Sequence, residues 1–150
     1  CDIRYCSDDS KFGVVETRFS AGVVTLAMPW IIGPRCRELI YTGDTIGSEE
    51  AYRLGLVNRV FPKKDLARET MKIAKRMSMV AMACLKWNKR AITHTFETMG
   101  FNAAMQYGVE ACTIMDSTQT PEYVEFSTLR KTQGLGAALK WRDEQFKRYE

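Results

Sequence analysis

The sequence predicts a mixed α/β protein that is poor in strands at its start and helical over most of its length. Three observations carry that reading. Short alternating stretches open the chain. A compact turn–helix–glycine–strand unit fills Thr42–Pro62. From Lys64 onward, apolar residues recur at helical spacing.

Cys1–Cys6 reads as a strand because Ile3 and Tyr5 alternate with charged neighbours. Ser7–Lys11 is a polar turn, and Phe12–Val15 is a second extended piece leading to Glu16. Ala21–Ile32 is the longest apolar run. It reads as a short buried helix, and it is too short to span a bilayer. Gly33 breaks it, and Pro34 suits the first turn of a helix running to about Tyr41. Ser48 is placed to cap the next helix, with Glu49 and Glu50 at its positive end. Gly55 fits the left-handed position that closes it. Leu56–Phe61 then reads as a strand stopped by Pro62.

Lys64–Met77 places Leu66, Thr70, Ile73 and Met77 on one helical face. Met79–Phe96 is a long helix, apolar nearly all round in its first half, which predicts burial at one end. Thr98–Ser117 follows, then a polar Ser-Thr-Gln-Thr-Pro linker, then helices at Glu122–Lys131 and Gly134–Tyr149. Two or three short strands alone would leave sheet edges unpaired, so a partner segment is expected. There is no internal repeat or low-complexity tract.

A chain of 150 residues, 45% hydrophobic and 27% charged, suits one globular domain. The net charge of +4 is mild, and the basic clusters at Lys63-Lys64, Lys72–Arg76 and Lys86–Arg90 read as solvated helix faces. That pattern disfavours nucleic acid as a partner and suits a small anion. The five cysteines are scattered without a C-x-x-C spacing, which argues for reduced thiols, a cytoplasmic setting, no disulfide framework and no zinc site. The single histidine, His94, reads as a surface or capping group, and no metal is expected. No basic-then-apolar leader pattern is visible, and no membrane association is expected. The methionines read as gap-fillers in helix packing, and Trp30, Trp87 and Trp141 as core or interface anchors.

Three segments carry a resemblance. Thr42–Pro62 is similar to the pattern T-G-D-x-I-x-A-x-E-A-x-x-x-G-L-V-N-x-V-x-P of the enoyl-CoA hydratase/isomerase (crotonase) family. Phe12-Gly13-Val14-Val15-Glu16 resembles its F-G-x-P-E motif, and Gly134–Phe146 resembles its C-terminal ending. The resemblance implies the C-terminal part of a crotonase-like (ClpP/crotonase) spiral ββα fold. Residues 1–62 would be the tail of the spiral core and 63–150 a helical trimerisation region. Its register also implies that the chain begins partway through the enzyme. The family's first catalytic glutamate, in a G-G-G-C-E-L segment, and both thioester oxyanion donors would precede Cys1. This chain by itself is therefore expected to be nearly inert.

Several residue roles follow from that resemblance. Glu16 would be a general acid or base on an acyl-CoA thioester, given an apolar pocket built by neighbours such as Val14, Val15 and Phe19. A solvated loop glutamate is the competing reading. Gly22 and Val23 would border the acyl pocket, although Phe19–Thr25 is shorter and poorer in glycine than the family's loop, which suggests a divergent substrate. Phe126 would line the acyl pocket, and Phe146 with Lys147 would approach coenzyme A, core aromatics and a solvated lysine being the alternative. The implied reaction is hydration of an α,β-unsaturated acyl-CoA through an enolate, as in fatty acid metabolism. Coenzyme A would enter as part of the substrate, with no prosthetic group. The parent is expected to be a homo-trimer or hexamer completed by the missing N-terminal half. Isomerisation, thioester hydrolysis and retro-aldol cleavage stay open, as does a non-catalytic assembly subunit.

Overall fold

The computed structural model describes residues 1–22 and 27–149. Strand β1 (Tyr5–Ser7) leads through a polar turn to β2 (Lys11–Gly13), and a 3₁₀ turn at Val15–Phe19 follows. Helix α1 (Met28–Ile32), a 3₁₀ turn at Gly33–Arg35 and α2 (Cys36–Thr42) come next. Then β3 (Thr45–Gly47), α3 (Ser48–Arg53) and β4 (Arg59–Phe61) complete the α/β part. Five helices follow: α4 (Leu66–Met77), α5 (Met82–Thr98), α6 (Phe101–Thr118), α7 (Pro121–Gln133) and α8 (Leu135–Phe146).

The strands form two short ladders. β1 lies parallel to β4, with Tyr5 opposite Arg59 and Ser7 opposite Phe61. β2 runs antiparallel to β3, with Phe12 opposite Ile46 and Gly13 opposite Thr45. The turn between β1 and β2 is clamped to the end of β4: Asp8 N–H donates to the Phe61 carbonyl at 2.9 Å, and Lys63 Nζ reaches Asp9 Oδ2 at 2.6 Å.

Two apolar clusters lie against these ladders. Met28, Ile32, Cys36 and Leu39 form one, packed by Val14, Ile31, Ile40 and others. Cys6, Ala51 and Val57 form the second, packed by Phe12 and Val60. Ile46 and Leu56 touch both clusters, so the Thr42–Pro62 unit joins the two halves of the core.

The helix expected over Ala21–Ile32 is found over Met28–Ile32; Ala21 and Gly22 are not helical, and residues 23–26 lie outside the described residues. The other segments follow the pattern of the sequence, with three differences. Ser48 is the first residue of α3 and Gly47 holds the capping position with extended backbone. The Ser48 hydroxyl turns away to donate to the Asp8 carbonyl at 2.8 Å, which ties α3 to the β1–β2 turn. The strand expected over Leu56–Phe61 is only Arg59–Phe61, because Leu56 and Val57 N–H groups fold back onto the Ala51 carbonyl. The burial expected in the first half of the Met79–Phe96 helix is not found. Met79 is 85% exposed, Met82 76% and Trp87 62%, and only Leu85 in that half is partly covered. Helix α5 touches α6 but lies along the outside of the chain, so Met71, Met79, Met82 and Met99 are not gap-fillers here.

The last two helices form a hairpin turned by Gly134 at φ +88°. Thr120 caps α7 by accepting from the Tyr123 N–H at 3.3 Å, and Pro121 sits at its first turn. The hairpin packs against the 3₁₀ turn at Val15–Phe19, which brings the C-terminal region onto the segment that carries Glu16.

Candidate active site

Glu16 sits in the first turn of the Val15–Phe19 3₁₀ segment. Thr17 Oγ1 donates to the Val14 carbonyl at 3.0 Å at the entry to the turn. At its exit the N–H groups of Ser20 and Ala21 return to the carbonyls of Thr17 and Glu16, both at 3.1 Å. Ser20 takes a left-handed backbone at φ +58° to make that reversal. Among the described residues the Glu16 carboxylate has no hydrogen-bond partner, and the side chain is exposed.

Glu16 is among the residues that line a cavity of about 530 Å³. Phe12 and Val14 line it from β2 and the following residue, Met28 and Ile31 from α1, Leu39 from α2, and Leu56 from the turn after α3. The lining is therefore apolar, and Lys11 and Glu16 are its charged members among the described residues. Its size falls in the range of roughly 300–1,000 Å³ typical of small-molecule sites. A carboxylate at the mouth of such a cavity can exchange a proton with a ligand whose apolar part fills the interior.

The walls differ from those the chain neighbours of Glu16 suggest. Val14 does line the cavity. Val15 and Phe19 are not among the described lining residues, and Phe19 stacks on Phe126, ring centroids 4.2 Å apart at 11°. The missing walls come from α1 and α2, whose apolar run was legible only as core. Leu39 and Ile32 show why: the same helices that bury Ile32 and Leu39 in the core also turn Ile31 and Leu39 toward the cavity.

Gly22 lies on the rim and is held by α6. Its N–H donates to Asp116 Oδ1 at 2.9 Å, and a Cβ on Gly22 would lie 2.7 Å from the Cys112 Cα. Burial and the neighbouring Asp116 carboxylate push the Cys112 thiol above its ordinary pKa, so it stays protonated at neutral pH. Val23 lies outside the described residues. Phe126 is 5% exposed and is occupied by its stack with Phe19; it is not among the described residues lining the cavity. Phe146 carries the Arg18 guanidinium over its ring at 4.6 Å, and Lys147 projects from the terminal 3₁₀ turn into solvent. The structure thus joins Phe126 and Phe146 to the Phe19 and Arg18 side chains of the Glu16 turn. His94 is exposed on α5 beside Glu97, away from these residues. Among the described residues, no group of three or more His, Cys, Asp or Glu side chains is placed to hold a metal, and no helix is long and apolar enough to cross a membrane.

A family model described as enoyl-CoA hydratase/isomerase matches residues 1–123. The chain is 41% identical over 108 residues to the putative enoyl-CoA hydratase EchA13 of Mycobacterium tuberculosis, covering 70% of this chain and 34% of that protein. It is 31% identical over 125 residues to the crotonyl-CoA hydratase of Syntrophomonas wolfei, covering 79% of this chain and 47% of that one. The crystal structure of an enoyl-CoA hydratase/isomerase from Xanthobacter autotrophicus Py2 superposes with a TM-score of 0.91 at 32% identity, over 97% of this chain and 55% of the other. The chain therefore spans less than half the length of these two curated relatives, and about half of the solved one.

Proposed function

The chain belongs to the enoyl-CoA hydratase/isomerase family and carries part of its crotonase fold, and from that premise we propose that it supplies Glu16 as an acid/base to an active site for acyl-CoA thioesters. The observation that carries the proposal is that Glu16, an exposed residue whose carboxylate has no hydrogen-bond partner among the described residues, lines an apolar cavity of about 530 Å³. An acyl chain would occupy the space between Val14, Met28, Ile31, Leu39 and Leu56. Its reactive double bond would then lie near Glu16.

Hydration is the reaction favoured. Water adds its oxygen to the β-carbon, the double-bond electrons move into the thioester as an enolate, and the α-carbon takes up a proton. A carboxylate near both carbons can remove the proton from water or deliver one to the α-carbon. The enolate oxygen needs donors aimed at it. The resemblance assigns those donors, and a second carboxylate, to a segment outside these 150 residues, so turnover requires that segment. Residues 1–62 carry Glu16, and residues 63–150 would support assembly as a trimer or hexamer. The exposed Met82, Trp87 and Ile92 of α5 support that division.

Isomerisation is the second reading. Glu16 is the sole carboxylate among the described lining residues, and one base suffices to carry a proton between the α- and γ-carbons. The two readings separate on product analysis with crotonyl-CoA and with a 3-enoyl-CoA. For either, Glu16→Gln in the assembled enzyme is expected to lower kcat about 10²–10⁴-fold with little change in thioester affinity. Unchanged turnover removes Glu16 from the mechanism.

A further inference from the structure

We propose that Arg18 is a positioning residue that holds the Glu16 turn against two separate parts of the fold; the proposal rests on the assignment of Glu16 above. Arg18 lies two residues after Glu16, in the same 3₁₀ turn. Its side chain is only 11% exposed. Nε donates to the Thr42 carbonyl at 3.1 Å, a terminal guanidinium nitrogen pairs with Asp44, and the guanidinium plane lies over the Phe146 ring at 4.6 Å.

These contacts complete a bracket. Before Glu16, Gly13 pairs with Thr45 in the β2–β3 ladder. After Glu16, Arg18 returns to Thr42 and Asp44, just ahead of β3. Both feet of the arch over residues 14–17 therefore stand on one short segment, Thr42–Thr45. The arch cannot tilt toward or away from the cavity without breaking one foot. Phe146 adds a lateral stop from α8, as Phe126 does for Phe19 from α7.

Arginine is required by the geometry. A carbonyl and a carboxylate are met from adjacent edges of one planar group while its face covers an aromatic ring. A lysine ammonium has no second edge and no plane to stack. A guanidinium in that pocket also fixes a backbone distance, which matters because misplacement of an acid/base by about 1 Å can cost about 100-fold in rate.

The assembled enzyme, assayed with crotonyl-CoA, tests the role. Arg18→Gln is expected to lower kcat about 10- to 100-fold with KM within about twofold. Arg18→Lys is expected to recover less than half of that loss. In a Glu16→Gln background, Arg18→Gln is expected to have little further effect, because its influence runs through Glu16. Full rescue by Arg18→Lys, a loss expressed mainly in KM, or an undiminished loss in the Glu16→Gln background would each overturn the proposal.

Amide hydrogen exchange in this chain gives a readout independent of turnover. Arg18→Gln should speed exchange at the Ser20 and Ala21 amides that close the turn about tenfold or more, whereas Arg53→Gln on the surface of α3 should not. If Glu16→Gln leaves turnover unchanged, the catalytic reading fails, and exchange alone then decides whether Arg18 holds the turn. Unaltered exchange in Arg18→Gln overturns the positioning role whatever the activity shows.

Discussion

Gly43 offers the sharpest test of the bracket around Glu16. It ends α2 with φ +66°, and its N–H returns to the Leu39 carbonyl at 3.1 Å. A side chain in that left-handed conformation costs about 1–2 kcal/mol. There is also no room for one: a Cβ would lie 2.6 Å from Arg18 Cγ and 3.0 Å from Thr17 Oγ1. Arg18 cannot swing aside at Cγ without losing Thr42 and Asp44, so overpacking adds about 1–3 kcal/mol. Removing glycine's freedom from the unfolded chain offsets about 0.5–1 kcal/mol of this. Gly43→Ala is therefore expected to destabilise the chain by about 1–4.5 kcal/mol, from the sum of those terms. Gly136→Ala is the control. Gly136 lies within α8 with open space around the Cβ position, and alanine there should stabilise by up to about 1 kcal/mol. Urea titrations at constant m-value measure both. A cost below about 1 kcal/mol for Gly43→Ala, or an equal cost for Gly136→Ala, would refute the claim that Arg18 is packed against this turn.

Three further outcomes follow from the same geometry. Gly22→Ala should cost about 1–3 kcal/mol, because the clash at 2.7 Å is with the Cys112 Cα, which no rotamer change relieves; a melting temperature equal to wild type would contradict the packing of α6 on the rim. Phe126→Ala should cost about 3–5 kcal/mol through loss of a buried ring stacked on Phe19, and a denaturant midpoint unmoved by it would show that α7 does not support the Glu16 turn. The Asp9–Lys63 pair should contribute only in a defined pH range. Hydrogen bonds from Lys63 and then Ser7 hold the Asp9 carboxyl below its ordinary pKa, so its contribution is present above about pH 4 and is lost as pH falls through the folded value. Asp9 in turn raises the Lys63 ammonium, whose contribution is present below about pH 10 and is lost as pH rises through its folded value. Melting curves of wild type and Asp9→Asn should stay apart near pH 4 and converge only as pH falls through the lowered folded value of the Asp9 carboxyl, and a pH-independent gap would show that the pair is not the cause.

Much of the fold was legible because local chemistry and tertiary structure agree. Gly33, Gly43, Gly55 and Gly134 all adopt positive φ, and each marks a break that a glycine in a helical pattern suggests. Among the described residues the eight α-helices fall on segments the sequence marks as helical, with ends shifted by a few residues except at Ala21–Ile32, where helix is described only over Met28–Ile32. What periodicity could not supply was the identity of the partner surface. The apolar content of α5 predicts burial, but Met82, Trp87 and Ile92, spread around the helix, say nothing about which surface covers them, and all three stay largely exposed among the described residues. The Glu16 cavity was half legible for the same reason. Val14 is adjacent in sequence, whereas Met28, Ile31 and Leu39 reach the site only through the fold. Arg18 was invisible as a clamp because its partners Thr42 and Asp44 lie 24 and 26 residues away.

The Thr42–Pro62 unit can be recognised residue by residue because it meets several constraints at once. Gly43 must admit Arg18, and Asp44 must pair with it. Thr45 must face Gly13, where a Cβ would lie 2.8 Å from the Asp44 carbonyl oxygen, so the two segments can approach only through a glycine. Ile46 must fill both apolar clusters, and Ser48 must reach the Asp8 carbonyl. Leu56 must serve the core and the cavity together. Each requirement alone would tolerate several residues, but few sequences satisfy them in consecutive positions. A carboxylate on a loop has no comparable pattern of its own. Its position is written instead in the segment that holds it, which is why a stretch remote in sequence identifies the neighbourhood of Glu16 better than the residues beside it.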